Sequence, residues 1–347
     1  MGGSGESGTV GGEAVGKSPG GIIARKRRAR YNAAKEAFMK NFACVLGMAL
    51  LPGLAIAAEN PDWAYPATPK PAPLDNVVQK QMPGSAKKYT QAQIDDGFNP
   101  PDWFPDEHPP MPEIVAIGKK PARACALCHL PTGDGHPESS SLAGLPVPYL
   151  VRQMAEFKNG GRKGVRANAM IDIAKAMSDA DVRAASEYFA GLKPGVWTKV
   201  VETATVPKSY VGSGAMRFAA PEGGTEPIGN RIIVLPQDAV RAHSRDPHSG
   251  FIDYVPVGSL AKGKALVTSG GSGQTVPCAV CHGASLKGLG EVPGITGRPP
   301  IYVVRQLNDM QNGNRTGSLA ELMKAVVSKL SIEDMVAIAA YLGSLEP

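Results

Sequence analysis

The chain has 347 residues, 43% apolar and 20% charged, proportions ordinary for a globular protein of two or three domains. Its formal charge of +6 is concentrated at the start: residues 1–58 hold 8 Lys plus Arg against 3 Asp plus Glu, leaving 29 against 28 over the remainder. The basic balance therefore belongs to one segment, and nucleic-acid binding is not indicated.

In chain order, Arg25-Lys26-Arg27-Arg28-Ala29-Arg30 and Lys40 precede an apolar stretch from Phe42 that closes in Ala55-Ile56-Ala57-Ala58. A positive flank, a short apolar core and small residues at its end make residues 1–58 an export signal and leader, cleaved near residue 58. The stretch is short for a membrane span and broken by Pro52-Gly53, although an uncleaved leader would anchor the chain. Export places the mature protein in the periplasm. Residues 59–111 read as an extended Pro-rich arm, with Trp63, Tyr65, Trp103 and Phe104 as anchors. The run Asp102 to Glu107 is expected to pack on the chain's own first domain rather than to dock a partner.

Two folded regions follow, 112–194 and 258–347, joined by a connecting segment over 195–257. In the first, Pro112 to Lys119 is a short opening helix and Leu150, Met154 and Phe157 recur at helical spacing before Gly160. Ser178-Asp179-Ala180-Asp181 then starts a terminal helix, with Ser as N-cap and an acid three residues on. The connection contains two strand-like runs, Arg231 to Leu235 and Phe251 to Val255, consistent with a small hairpin or with extended packing along a domain. The second region repeats the pattern: Ser259 to Ser269 as opening helix, with Gly263 allowing close approach to the terminal helix, then Val303, Leu307 and Met310, and a last helix from Ser331.

Each region also carries one five-residue run, Cys125-Ala126-Leu127-Cys128-His129 and Cys278-Ala279-Val280-Cys281-His282. C-x-x-C-H is the attachment signature of a c-type haem: the two thiols bond the porphyrin edge and the adjacent imidazole reaches the iron. A redox dithiol would need a βαβ context and no obligatory His, and a zinc site is the other competing reading. Two covalent haem c groups also explain how aromatics at only 6% suffice for two cores.

The runs belong to a repeat with a constant offset of 153 residues; overlaying 124–192 on 277–345 gives 23 identities in 69 positions without a gap. Tyr149 maps to Tyr302, Arg152 to Arg305, Gln153 to Gln306 and Arg162 to Arg315. Of the 12 methionines, one pair lies at equal distance beyond both motifs, Met170 and Met323. A thioether there makes a six-coordinate, low-spin iron suited to passing electrons, with His129 and His282 as the opposite ligands. Met154, Met177 and Met310 map to other residue types and read as core fillers. The four repeated arginines are either propionate partners or exposed helical residues. His136 maps to Leu289, while His108, His243 and His248 lie outside the repeat, and all four are expected at the surface or in local hydrogen bonds.

The order of helix, C-x-x-C-H, loop, helix, distal Met and terminal helix resembles class I cytochrome c, and its doubling resembles the dihaem cytochrome c4 family. Leu142-Ala143-Gly144, Tyr149-Leu150, Arg152-Gln153 and the stretch from Met170 to Asp181 carry the likeness in the first domain. Ile295-Thr296-Gly297, Tyr302-Val303 and Arg305-Gln306 carry it in the second. The resemblance implies an all-α fold of two tandem class I cytochrome c domains, each wrapped round one haem. It further implies an electron carrier without a catalytic site, fed by a quinol-oxidising complex and feeding a terminal oxidase or other reductase. A fixed cytochrome subunit of a dehydrogenase complex is the alternative, and a dihaem peroxidase a more distant one. Pro293 stands where the family has a Pro whose carbonyl accepts from the proximal imidazole, whereas the first domain has Ser140 there.

Overall fold

The computed structural model describes residues 60–67, 69–70 and 74–347. The leader expected over residues 1–58 lies outside the described residues, and among these no helix is long and apolar enough to cross a membrane.

The first domain is built on three helices, Val147–Asn159, Asn168–Ala176 and Asp179–Gly191. Their ends follow the sequence. Gly160 closes the first in the left-handed conformation (φ 81°), where a glycine carries no Cβ penalty. Ser178 caps the third by accepting from Asp181 N–H. The short opening helix is a single turn, Glu113–Ala116. In the second domain the helices are Ser259–Ser269, Pro300–Gln311 and Ile332–Gly343, and Ser331 with Asp334 forms a full capping box. The segment carrying Met323 is a tight turn, Glu321–Met323, leading into Lys324–Val327, shorter than the nine-residue helix that carries Met170.

The expected contact at Gly263 is present: a Cβ there would collide with the Ala337 carbonyl, so the Ser259–Ser269 and Ile332–Gly343 helices cross backbone to backbone. Both strand-like runs of the connection are strands. Ile233–Pro236 pairs antiparallel with Phe251–Val255, and Thr198–Glu202 pairs parallel on the other edge, a strand that alternation alone did not reveal. Val234, Phe251 and Val255 of this sheet, with Trp197 just ahead of its first strand, join one core with Leu266, Met335, Val336 and Ile338 of the second domain. The terminal helix of that domain is consequently covered on both sides, and residues Met335 to Ala340 are all buried.

The arm has little regular structure and is anchored at two places. Tyr65 and Asn60 meet Asn308 of the second domain at 3.0 and 2.7 Å. Met82, Ile94 and Trp103 make a small core of their own, and Trp103 Nε1 donates to the Ser244 carbonyl of the connection at 2.7 Å. The run Asp102 to Glu107 also faces the connection: Phe104 lies against His248 and Glu107 pairs with it at 2.7 Å. The aromatic anchors thus tie the arm to the connection and the second domain, while Tyr65 also lines the first domain's cavity, Gly97 O accepts from Ala124 N–H at 2.9 Å and His108 lies edge-on to Tyr188, so the arm meets the first domain too.

Candidate functional site

Each C-x-x-C-H run is one helical turn, Ala126–His129 and Ala279–His282, fixed by His129 N–H donating to Cys125 O and His282 N–H to Cys278 O, both at 2.9 Å. Residues i, i+3 and i+4 of a turn share a face, which sets both thiols and the imidazole on one side. Cys125, Cys128 and His129 line one cavity together with Met170; Cys278, Cys281 and His282 line a second with Met323. The paired methionines selected by the offset are therefore brought to the same cavities as the motifs. Met154 and Met177 also line the first cavity and Met310 the second, so position in a cavity does not by itself distinguish a ligand.

The imidazoles are oriented alike. His129 Nδ1 lies 2.9 Å from the Ser140 carbonyl and His282 Nδ1 2.8 Å from the Pro293 carbonyl. A carbonyl can only accept, so Nδ1 carries the proton and Nε2 keeps its lone pair for a metal. The substitution of Ser140 for the usual Pro leaves this contact intact. Burial holds both histidines below the ordinary imidazole range, favouring the neutral form a ligand requires. The same burial pushes the Cys125 thiol up to about 12 and the Cys278 thiol to about 11. All four motif cysteines are free thiols, the form from which covalent attachment to haem proceeds. Two unpaired thiols, one oriented imidazole and a thioether at the repeat-matched position round a largely apolar cavity fit covalent haem, twice.

The four repeated arginines prove to be interface residues as well as cavity walls. Arg152 of the first domain pairs with Glu291 of the second at 2.8 Å, and Arg305 pairs with Glu138 at 2.5 Å. Each member of the second pair is its counterpart in the first moved by 153 positions, so the contact is made twice about an approximate two-fold axis. At its centre Arg162 donates to Gln153 and Gln306 (2.9 and 2.8 Å), while Arg315 donates to Gln306 and Gln153 (3.0 and 2.8 Å). Backbone pairing between Arg162 and Arg315 completes it. Tyr149, Gln153, Tyr302 and Gln306 line both cavities, so one layer of side chains separates them. The repeat held this information, because Glu138 and Glu291 are also identical in it.

Of the remaining histidines, His136 is buried with its Nδ1 3.2 Å from the Cys128 carbonyl, bracing the first attachment turn. His108 Nε2 lies within hydrogen-bond distance of Asp102 at 3.1 Å, and His248 Nε2 of Glu107, 141 positions away, at 2.7 Å.

No protein-family model matches the chain. A cytochrome c-554(548) of Halomonas halodenitrificans is 37% identical over 70 residues, covering 84% of that protein and 20% of this chain. Cytochrome c4 of Pseudomonas aeruginosa is 25% identical over 236 residues, covering 88% of that protein and 67% of this chain. A thiosulfate dehydrogenase electron acceptor of Thiomonas intermedia is 25% identical over 238 residues, 83% of its length and 67% of this one. With two attachment turns, two cavities and relatives that span both, the chain belongs to the dihaem class I cytochromes c related to cytochrome c4, and it is an electron-transfer protein, not an enzyme, with two covalent haem c groups.

Proposed function

We propose that Cys125 and Cys128 hold one haem and Cys278 and Cys281 the other, with His129 and His282 as proximal and Met170 and Met323 as distal ligands. The convergence of two cysteines, a histidine and the offset-matched methionine on one cavity, in both domains, carries this reading. When bound, haem c supplies an iron that exchanges one electron with little change in its ligands. The chain's part is positional: His129 and His282 are fixed by carbonyls, apolar walls keep water out, and Tyr149, Gln153, Tyr302 and Gln306 form the partition an electron crosses between cavities. The folded domains span 112–194 and 258–347, with the arm at 59–111 and the connection at 195–257.

The protein works in the periplasm after loss of residues 1–58, taking electrons from a quinol-oxidising complex and passing them to a terminal oxidase or other reductase. The relative named as the electron acceptor of a thiosulfate dehydrogenase supports a second donor class, a periplasmic dehydrogenase, with the same chemistry at the cavities. Met170→Ala and Met323→Ala test the ligand set: each variant should gain a high-spin signal and carbon monoxide binding at one haem while the other stays low-spin. Retention of two low-spin haems in both variants would show that other residues supply the distal ligands.

A further inference from the structure

Each cavity receives one acid from the helix of the opposite domain. Glu156 of Val147–Asn159 lines the second cavity, and Asp309, its counterpart 153 positions on in Pro300–Gln311, lines the first. The two carboxylates are held differently. Glu156 accepts from Gln153 Nε2 at 3.0 Å, inside the network that Arg162 and Arg315 complete. Asp309 accepts from Asn314 Nδ2 at 3.3 Å and forms no ion pair among the described residues. The other acid of the first cavity, Glu138, is paired with Arg166 and Arg305 at 2.6 and 2.5 Å. Asp309 is also closely packed: a Cβ at Gly164 would lie 2.8 and 2.9 Å from its carboxylate oxygens, so the loop after Arg162 rests on the carboxyl itself. From the arm, Tyr65 lines the same cavity, with its hydroxyl 3.0 Å from Asn308 Nδ2. The groups facing Asp309 are thus Tyr65 from the arm, Arg162 from the first domain, Arg305 on its own helix, and Asn314 and Arg315 just after it, while Lys163 is exposed. Burial outweighs these three arginines and holds the Asp309 carboxyl above its ordinary value.

Resting on the electron-carrier reading, we propose that Asp309 is a redox-linked proton site, binding one proton when the first cavity gains an electron and releasing it on reoxidation. The electron comes from the reductant and the proton from water, so the charge of the cavity and its wall is unchanged by the pair. An added negative charge in a low-dielectric site favours the neutral form of an acid that lines it, and the acid without an ion-paired cation responds first. Glu138 already has its charge balanced by two arginines, which leaves Asp309 as the responding group. The distribution of a single electron between the two cavities then depends on pH. A neutral Asp309 favours the first cavity at low pH, and its carboxylate shifts the electron toward the second as pH rises.

The test uses the full-length, haem-loaded protein, titrated potentiometrically with optical detection at a series of mildly acidic to neutral pH values. In the wild type one of the two midpoints should fall as pH rises through the Asp309 window. The fall should amount to about a tenfold change in the ferric-to-ferrous ratio at fixed potential, about 59 mV for one electron, while the other midpoint stays level. Asp309→Asn keeps the shape and an acceptor for Asn314, and should abolish the slope; Glu222→Gln, at an exposed position, should leave it in place. Reduction in weak buffer, followed with an indicator dye, should show part of a proton taken up per wild-type chain and none by the Asp309→Asn variant. Level midpoints in the wild type, or a slope that survives Asp309→Asn because the haem's own carboxyl groups carry it, would overturn the proposal. Fewer than two reducible haems per chain would instead overturn the carrier reading itself.

Discussion

A hydrogen bond of 2.8 or 2.9 Å from Nδ1 of His129 and of His282 to a backbone carbonyl does more than fix a ring: it selects the tautomer and leaves Nε2 with the lone pair that the proposed ligation to haem iron requires. Because the acceptor is main chain, Ser140 and Pro293 serve equally. The offset of the repeat picked out these residues and both methionines as candidates, since identity at equal spacing is a pattern in one dimension, and each set lines one cavity. Asp253 was not legible. It sits in Phe251–Val255, the central strand of the sheet, fully buried, and neither carboxylate oxygen has a hydrogen-bond partner among the described residues. Burial raises its pKa well above the carboxylate range. Above the unfolded value near ~3.8 the unfolded chain holds fewer protons than the folded one, so stability falls as pH rises toward the folded value. Asp253→Val should remove that slope and stabilise the protein at neutral pH by about 1–3 kcal/mol. Chemical denaturation at acidic and neutral pH checks this, and an unchanged slope would place the titration elsewhere.

Among the elements, helices with marked ends were readable and the sheet only partly so. Ser178, Ser331, Gly160 and the window Ser259–Ser269 announced themselves through capping chemistry and apolar spacing. Phe251–Val255 and its antiparallel partner showed as apolar runs, whereas Thr198–Glu202 is paired by a parallel crossover whose partner lies some fifty residues away and leaves no local signature. Gly263 gives a sharp test at this scale. By helix propensity alone Gly263→Ala would stabilise by about 0.8–1 kcal/mol. The collision with the Ala337 carbonyl is backbone against Cβ and cannot be relieved by a rotamer, so overpacking prevails and the variant should lose about 1–3 kcal/mol. Thermal unfolding decides between these signs. At the caps, Ser331→Ala should cost about 0.5–2 kcal/mol, measured in the same way.

Across the whole molecule the repeat encodes an interface as well as two cavities. Arg152 with Glu291 and Arg305 with Glu138 are one contact made twice, yet their surroundings differ. Glu291 is 59% exposed, while the Arg305 and Glu138 side chains are 3% and 10% exposed. An exposed pair contributes at most about 1 kcal/mol, and breaking a buried one costs about 3–5 kcal/mol. Arg305→Ala should therefore destabilise the protein severalfold more than Arg152→Ala, and equal losses in thermal unfolding would mean that the two halves of the interface are energetically alike. A single sequence could not show this, because the partners lie 139 and 167 positions apart and the burial difference comes from neighbours outside the repeat. The arm and connection break the symmetry in the same way, covering one attachment turn and leaving the other open. The central claim, two six-coordinate haems that pass electrons, is met most directly by one measurement on the haem-loaded protein: haem per chain, with ferric spin state and carbon monoxide binding after reduction. Two low-spin haems that ignore carbon monoxide are expected; a high-spin haem that binds it would contradict the assignment of a methionine to each iron.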